Sequence, residues 1–443
     1  MTTNAISPDK TTTRATPGLS RRGFLQKAGL ALAAGVTAPA FVPASALGRD
    51  GHTAPSNRIA LGVVGLVQGW DGFHKCAGAA GVEAVGLCDV NAKRLDSRVR
   101  ETRGWKNGKS AVGYPDFREM FASAKLDAVV LGAPDHWHGI MAVAAARAGL
   151  DIYGEKPLAH TLAEGRAIVE AVKQHARVWQ TGSWQRSGGE FRKAINIVRN
   201  GLIGKITRVE AGTLGAFHNA GPQPADFGKP PAHLDYDMWV GPAQWIPYDS
   251  RIIDFHWRWN LNFGGGNLMD WVGHHVDIAH WGINKDHTGP VQIKGIKAKW
   301  ATDYPFDAQR TYEYECTYAD GLVMRVNSGR GTKFFGEDGK WVYVDRGRVD
   351  ARPKKLLNFV PGPNDFQAYD RNHWHNFIDC VRTRRETIAP VETAHRSASV
   401  GHLGHIALLT GRTIHWDPET ETIKNDPAAS AFLKPVYRSP WVL

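Results

Sequence analysis

The chain predicts two domains: a doubly wound α/β unit on a parallel sheet, then an α+β unit with a large, mainly antiparallel open sheet. Three observations carry this. Short apolar runs alternate with helical stretches through residues 57–180, the pattern of repeated strand–helix–strand units. From about Gln185 strand-like segments follow one another without helices between them. Ahead of both stands a basic and then apolar leader that belongs to neither.

The leader is the first element to justify. Ser20-Arg21-Arg22-Gly23-Phe24-Leu25 is a twin-arginine signature, the apolar stretch runs from Ala28 to about Val42, and Ala44-Ser45-Ala46 offers a small-x-small cleavage site. Gly35, Pro39 and Pro43 interrupt that stretch, which is too short for a spanning helix. Residues 1–46 are expected to be a signal peptide read by the twin-arginine export machinery, and 47–56 a linker. The mature protein is then periplasmic or extracellular and leaves the cell already folded. Folding takes place in a reducing compartment, so Cys76, Cys88, Cys316 and Cys380 are expected as buried free thiols.

What remains of the 443 residues is enough for two substantial cores. The leader carries a surplus of four positive charges, which leaves +7 of the total +11 on the mature chain. These basic residues are scattered, and no nucleic-acid module is visible. The surplus reads as general surface charge that favours acidic substrates.

In the first domain, residues 57–184, the strands are Ile59–Val64, Val82–Cys88, Ala128–Leu131 and Leu150–Tyr153, each apolar enough for burial on both faces. Helices are expected at Pro115–Ala124 and His138–Ala148, and Thr161-Leu-Ala-Glu164 is a capping box for the next. Such a sheet is the Rossmann, dinucleotide-binding arrangement. Asp89 ends the second strand two dozen residues after Gly65, where a carboxylate meets the ribose hydroxyls of NAD and repels the extra phosphate of NADP. The glycine loop departs from G-x-G-x-x-G: with Gly65 first, Val67 takes the second place and Trp70 the third. Either Gly69 makes the close approach on a different path, or cofactor affinity is altered.

In the second domain, 185–443, Phe191–Arg199 is helical, and strands are expected at Ile206–Thr213, Val291–Lys299, Arg310–Tyr318, Leu322–Val326 and Trp341–Val344. Helices at Arg371–Arg384 and Val391–Leu409 are assigned to a C-terminal tail. Sixteen tryptophans are many for this length, and Trp184, Trp239, Trp245, Trp257, Trp259 and Trp271 crowd the substrate side with Tyr248, Phe255 and His256. Aromatic faces stack on the C–H faces of sugars while groups such as Arg186 meet hydroxyls, so the set favours a carbohydrate.

Two segments supply the chemistry. Gly154-Glu155-Lys156-Pro157 and, after Gly264-Gly265-Gly266, Asp270-Trp-Val-Gly-His274-His275-Val-Asp277 bring together a lysine, a histidine and carboxylates. These are the groups needed to take a proton from an alcohol while hydride leaves its carbon. On an α-helix Asp270, His274 and Asp277 form one stripe. His274, with an ordinary pKa near 6.5, would accept the proton, Asp270 would orient its ring, and Lys156 would steady the developing oxyanion. A metal reading of Asp270, His274, His275, Asp277 and His280 is weaker, because only three share a face.

With these motifs the chain resembles the Gfo/Idh/MocA oxidoreductases over nearly all of its length after residue 57. The resemblance implies a bound NAD, a loop Ala133-Pro134-Asp135-His136-Trp137-His138 lining the nicotinamide side, and a cis Pro157 that aims Lys156 into the cleft. It places Gly65, Gly69, Asp89, Pro134, His138, Glu155 and Lys156 at the cofactor, Lys156, Asp270 and His274 at the chemistry, and Trp184, Arg186, Trp257, His275 and Asp277 at the substrate. Dimers or tetramers that cover the outer face of the sheet are implied too. The closing Ser439-Pro-Trp-Val-Leu is similar to the tail of exported members. The resulting expectation is an NAD-dependent oxidation of a sugar, polyol or glycoside hydroxyl. An NAD-dependent glycosidase acting by transient oxidation and elimination is the alternative, and a non-catalytic sugar-binding protein the second.

Overall fold

The computed structural model describes Ala54 and residues 57–215, 228–368 and 372–443. The twin-arginine leader lies outside the described residues.

The first sheet has six parallel strands: β1 (Ile59–Val64), β2 (Val82–Cys88), β3 (Val112–Tyr114), β4 (Ala128–Leu131), β5 (Asp151–Gly154) and β6 (Trp179–Thr181). Their order is β3-β2-β1-β4-β5-β6. Five of the six β1 residues are buried, as a strand covered on both faces requires. The helices between strands are α1 (Gly69–Ala77), α2 (Ala92–Arg103), α3 (Phe117–Ser123), α4 (His138–Arg147) and α5 (Leu162–Gln174). Asn91 and Asp116 cap α2 and α3, and the Thr161/Glu164 box closes in both directions at the start of α5. Strand order reverses between β1 and β4, and a crevice opens there at the carboxyl ends.

After α6 (Gly189–Arg199) comes the second sheet: β7 (Arg208–Thr213), β8 (Gln292–Trp300), β9 (Gln309–Thr317), β10 (Val323–Asn327), β11 (Arg330–Phe335), β12 (Trp341–Asp345), β13 (Arg348–Arg352), β14 (Thr413–Asp417) and β15 (Thr422–Ile423). The order is β13-β12-β11-β7-β10-β9-β8-β14-β15. Pairing is antiparallel except between β7 and β10. In β9, Tyr312, Tyr314 and Cys316 alternate inward and are fully buried. On the other face β8 exposes Lys294, Ile296, Lys297 and Lys299.

The two last long helices are not a tail. α10 (His373–Thr383) drives Phe377 and Ile378 into the core of the first domain, where Phe377 meets the Tyr153 ring at 5.9 Å. α11 (Val391–Thr410) packs between α5 and β8, buried on most of its circumference. Its small residues permit that depth: a Cβ on Gly404 would stand 2.3 Å from the Tyr314 ring. All four cysteines are free and buried. Among the described residues no helix is long and apolar enough to cross a membrane.

Candidate active site

The chain leaves β1 through Gly65, whose φ of +85° is the left-handed region, and a Cβ there would meet the Gly132 carbonyl oxygen at 2.6 Å. Gly69 opens α1 against the β4 loop so closely that a Cβ on Gly132 would lie 2.2 Å from the Gly69 nitrogen. Gly69 therefore makes its close approach to the loop after β4, sealing helix against strand. Val67, in the place of the second glycine, is 40 % exposed.

Asp89 stands at the end of β2, facing this loop. Its carboxylate accepts the Leu66 N–H at 2.9 Å and the Asn91 N–H at 2.8 Å, and Arg94, which the sequence reading missed, reaches it at 3.3 Å. Beside it is a narrow apolar slot of about 60 Å³ between Gly65, Pro115, Phe117 and Trp137. The slot is lined on another side by Met238 and Trp239 of α7 (Tyr236–Val240). That strap is tied to the extension of β2 by Ala92 N–H to His233 O at 2.8 Å and Asp235 N–H to Val90 O at 3.0 Å. Trp441, from the closing segment, packs edge-on against Trp137 at 4.7 Å. A glycine turn that no Cβ could occupy, a carboxylate at the β2 end and an apolar slot beside it suit a dinucleotide.

In the loop after β4, Pro134 precedes a single 3₁₀ turn, Asp135–Trp137. His138 has Pro157 O at 2.8 Å from Nδ1 and Ala133 O at 2.9 Å from Nε2. It is thus a clamp that holds this loop to the Lys156–Pro157 turn, where the cis peptide implied by the resemblance is present. A neutral ring carries a single N–H, so His138 donates to one of these two carbonyls, and burial disfavours the doubly protonated form that could donate to both. Burial pushes the Asp135 carboxyl up to about 8 against the pull of Arg258 and Lys156. Burial likewise raises Glu155 to about 7.

Lys156 Nζ donates to Asp270 Oδ1 at 2.7 Å and to the Asp270 carbonyl at 2.8 Å. Of its three donors one remains. Arg258, another residue the sequence reading missed, donates to the same Oδ1 at 3.1 Å. Burial acts to raise the Asp270 pKa, but Lys156 and Arg258 outweigh it and hold the carboxylate well below its ordinary range. With that carboxylate engaged by two cations, Asp270 does not orient His274, whose buried Nδ1 has no hydrogen-bond partner. Burial first, then Lys156 and Arg346, hold His274 well below the usual imidazole range. Lys156, Asp270 and His274 line one cavity of about 450 Å³ together with Gln68, Glu155 and Trp184.

The stripe expected from a regular helix is broken. α8 (Gly266–Trp271) passes into a π-helical turn, Val272–Val276, before α9 (Asp277–Gly282). A turn closed by i→i+5 bonds takes more residues per revolution, so Asp277 rotates off the Asp270–His274 face. It pairs instead with Arg186 at 2.7 and 2.9 Å, and Asp286 closes on the same guanidinium at 2.8 Å. Arg186 and Asp277 are thus a buried structural ion pair, not substrate groups. His275 is fully buried, stacked on Trp271 at 5.4 Å, and Trp257 lies under the Arg258 guanidinium at 4.2 Å, only 2 % exposed. Neither lines the cavity. Trp184, by contrast, is on its wall, 6.2 Å from the His274 ring. Among the described residues no three His, Cys, Asp or Glu side chains converge as a metal site.

A parallel β3-β2-β1-β4-β5-β6 sheet is the dinucleotide-binding Rossmann arrangement, and here a second cavity brings Lys156 and His274 together. The profile of the Gfo/Idh/MocA oxidoreductase family's NAD-binding Rossmann fold matches residues 59–183, and that of its C-terminal alpha/beta domain matches 188–443. The chain belongs to this family, and its first domain is the family's NAD-binding domain. It is 26 % identical over 232 residues to an inositol 2-dehydrogenase of Salmonella typhimurium, 52 % of this chain and 56 % of that protein. A glycosyl hydrolase family 109 protein of Shewanella pealeana is 26 % identical over 374 residues, 78 % of this chain and 73 % of that one. The match to protein 1 of that glycosidase family from Shewanella sp. strain MR-4 spans only 45 % of the relative. In fold, the chain is similar to the aldose-aldose oxidoreductase of Caulobacter crescentus, crystallised with glycerol (TM-score 0.59, 18 % identity, 81 % of this chain and 99 % of that one). It is equally similar to the WlbA dehydrogenase of Bordetella pertussis, crystallised with NADH and UDP-GlcNAcA (TM-score 0.59, 17 % identity, 81 % of this chain and 99 % of that one).

Proposed function

We propose that the protein oxidises a hydroxyl of a sugar, polyol or glycoside with a tightly held NAD, and that it is exported folded with the cofactor aboard. The observation that carries this is the meeting, in one cavity, of a Lys156 ammonium fixed by Asp270 with His274, whose pKa burial pushes below the usual imidazole range. The nicotinamide, when bound, supplies the hydride acceptor. The remaining N–H of Lys156 would donate to the substrate oxygen and stabilise the negative charge that grows on it. His274, neutral at pH 7, takes the hydroxyl proton. Asp270 acts on Lys156, holding its ammonium in place. Trp184, Trp271, Phe255 and Trp374 give the cavity an aromatic wall, the kind of lining a sugar ring packs against. The test is a panel of sugars and polyols, scored by the absorbance of reduced nicotinamide. Turnover present in the native protein and lost in Lys156→Met supports the reading. A folded protein that neither contains nor binds NAD(H) sinks it.

The extended similarity to a family 109 glycosyl hydrolase favours one second reading, in which oxidation is transient and an aglycone is eliminated. A nitrophenyl glycoside separates the two. Release of nitrophenol over many turnovers with no net nicotinamide reduction, and with solvent deuterium entering the sugar, selects the glycosidase.

A further inference from the structure

Arg346 stands at the mouth of the same cavity, in the two-residue turn Arg346-Gly347 between β12 and β13. The turn is held at both residues. Asp345 accepts the Arg346 N–H at 2.8 Å, and Glu190 in the first turn of α6 accepts the Gly347 N–H at 3.1 Å. The guanidinium lies 4.3 Å from the Trp271 ring centre and 4.8 Å from that of Trp184. The same two rings flank His274, at 5.3 and 6.2 Å. An aromatic clamp of this kind fixes the plane of a guanidinium without using its N–H donors.

The other cations of the cavity are already paired. Lys75 is held by Asp71 at 2.6 Å, and Lys156 and Arg258 share Asp270 at 2.7 and 3.1 Å. Asp345, the carboxylate next to Arg346 in sequence, is engaged with Arg330 at 3.2 Å and faces His275 at 3.5 Å. Among the described residues the Arg346 guanidinium makes no hydrogen bond and no ion pair. A planar fork of donors is therefore presented, uncommitted, beside the proton-transfer residues.

We propose that Arg346 binds the carboxylate of an acidic sugar, so that the preferred substrate is a uronate or another sugar acid. The inference rests on the oxidoreductase reading for the substrate's place in the cavity. A bidentate guanidinium matches a carboxylate edge in shape and charge. One free cation balances one negative charge. A phosphate dianion would bring a second charge toward Asp270 and Glu155, and a neutral sugar would leave the fork to water.

The test uses the full chain loaded with NAD, and binding of D-glucuronate, D-glucose and glucose 6-phosphate measured by calorimetry and tryptophan fluorescence. D-Glucuronate should bind at least about tenfold more tightly than D-glucose, an advantage of the size expected for a charge-assisted bidentate contact. In Arg346→Gln that ratio should fall towards one, and in Arg346→Lys only part should survive, because the charge remains and the fork is lost. Cofactor content and thermal unfolding verify that each variant is folded. Equal affinity for glucuronate and glucose in the native protein, or a ratio unchanged in Arg346→Gln, overturns the proposal. Tightest binding of glucose 6-phosphate overturns the carboxylate assignment. Glucuronate bound through Arg346 but never oxidised would sink the oxidoreductase reading and leave this site standing. Oxidation of neutral sugars without acid preference would do the reverse.

Discussion

Lys156 Nζ and Asp270 Oδ1 lie 2.7 Å apart across 114 residues of chain, one from the turn just after β5 and the other from α8. This contact joins the two domains in the cavity that His274 also lines. Lys156→Met should lower kcat by roughly a hundredfold or more, the range of a positioned acid–base group. Asp270→Asn should do two things, since it also leaves Lys156 and Arg258 without a counter-ion. Activity should fall comparably, and urea unfolding should show a loss of about 3 kcal/mol, as breaking a buried pair does. Native-like stability in Asp270→Asn would show that the two cations find other partners.

His274 sets a pH expectation. Burial, Lys156 and Arg346 hold its pKa well below 6.5, so the ring stays neutral as pH falls through the ordinary histidine range. A reaction that needs neutral His274 should keep its kcat/KM flat from pH 7 down past pH 6.5, and lose it only in stronger acid. His274→Ala should cost about a hundredfold at pH 7. An acid limb centred near 6.5 would mean that the proton acceptor is another group.

The strap around Trp239 bears on cofactor retention. Met238 and Trp239 line the slot beside Asp89 and Gly65, so they are placed to pack on a dinucleotide seated there. Their movement is opposed by the 233–235 pairing with the β2 extension. NAD(H) should therefore co-purify, and Trp239→Ala should release it at least about tenfold faster in a dilution assay, a change worth about 1.4 kcal/mol in barrier. Equal release rates in the two proteins would remove the strap from the argument.

Asp89 and Arg94 make cofactor choice a contest. Asp89 favours ribose hydroxyls, but Arg94 sits on the same carboxylate at 3.3 Å and is a ready partner for a 2′-phosphate. NAD should be preferred in the native protein, and Asp89→Ser, which removes one of the two carboxylates paired with Arg94, should narrow the preference. Tighter binding of NADP by the unmutated chain would leave Asp89 as a turn residue only.

The first domain was legible to the residue in places. β1, β2 and β4 begin and end where their apolar runs do, because strands buried on both faces carry an unbroken hydrophobic signal. β11 and β13 carried no such signal. Each is rich in charge, with Lys333 and Arg348 turned outward on a sheet covered on one face, and their pairing is non-local. At the site, Lys156, Asp270 and His274 were legible because two short motifs hold them. Arg258 and Arg346 were not, since nothing in the sequence marks an arginine that arrives from a distant loop or hairpin. The π turn at Val272–Val276 was equally silent, and it is what separates Asp277 from the residues its spacing seemed to join.

A last prediction concerns the seam between α5 and α11. Arg166 donates to Glu421 at 2.6 and 2.9 Å and to Glu392 at 3.0 and 3.1 Å, and His395 stands 2.8 Å from Glu421. Burial acts to raise Glu421, but the hydrogen bonds from His395 and Arg166 prevail and bring it down from 4.5 to about 2. A carboxylate whose pKa is depressed on folding stabilises the fold above its unfolded value and loses that contribution as pH falls through the folded one. The urea midpoint should therefore fall between pH 4.5 and pH 2. Arg166→Met should lower stability at pH 7 by about 2 kcal/mol, between the values for exposed and buried pairs. It should also shrink the acid loss, because Glu421 then titrates nearer its ordinary value in both states. An acid limb of the same size in Arg166→Met and in the native protein would show that other carboxylates set it.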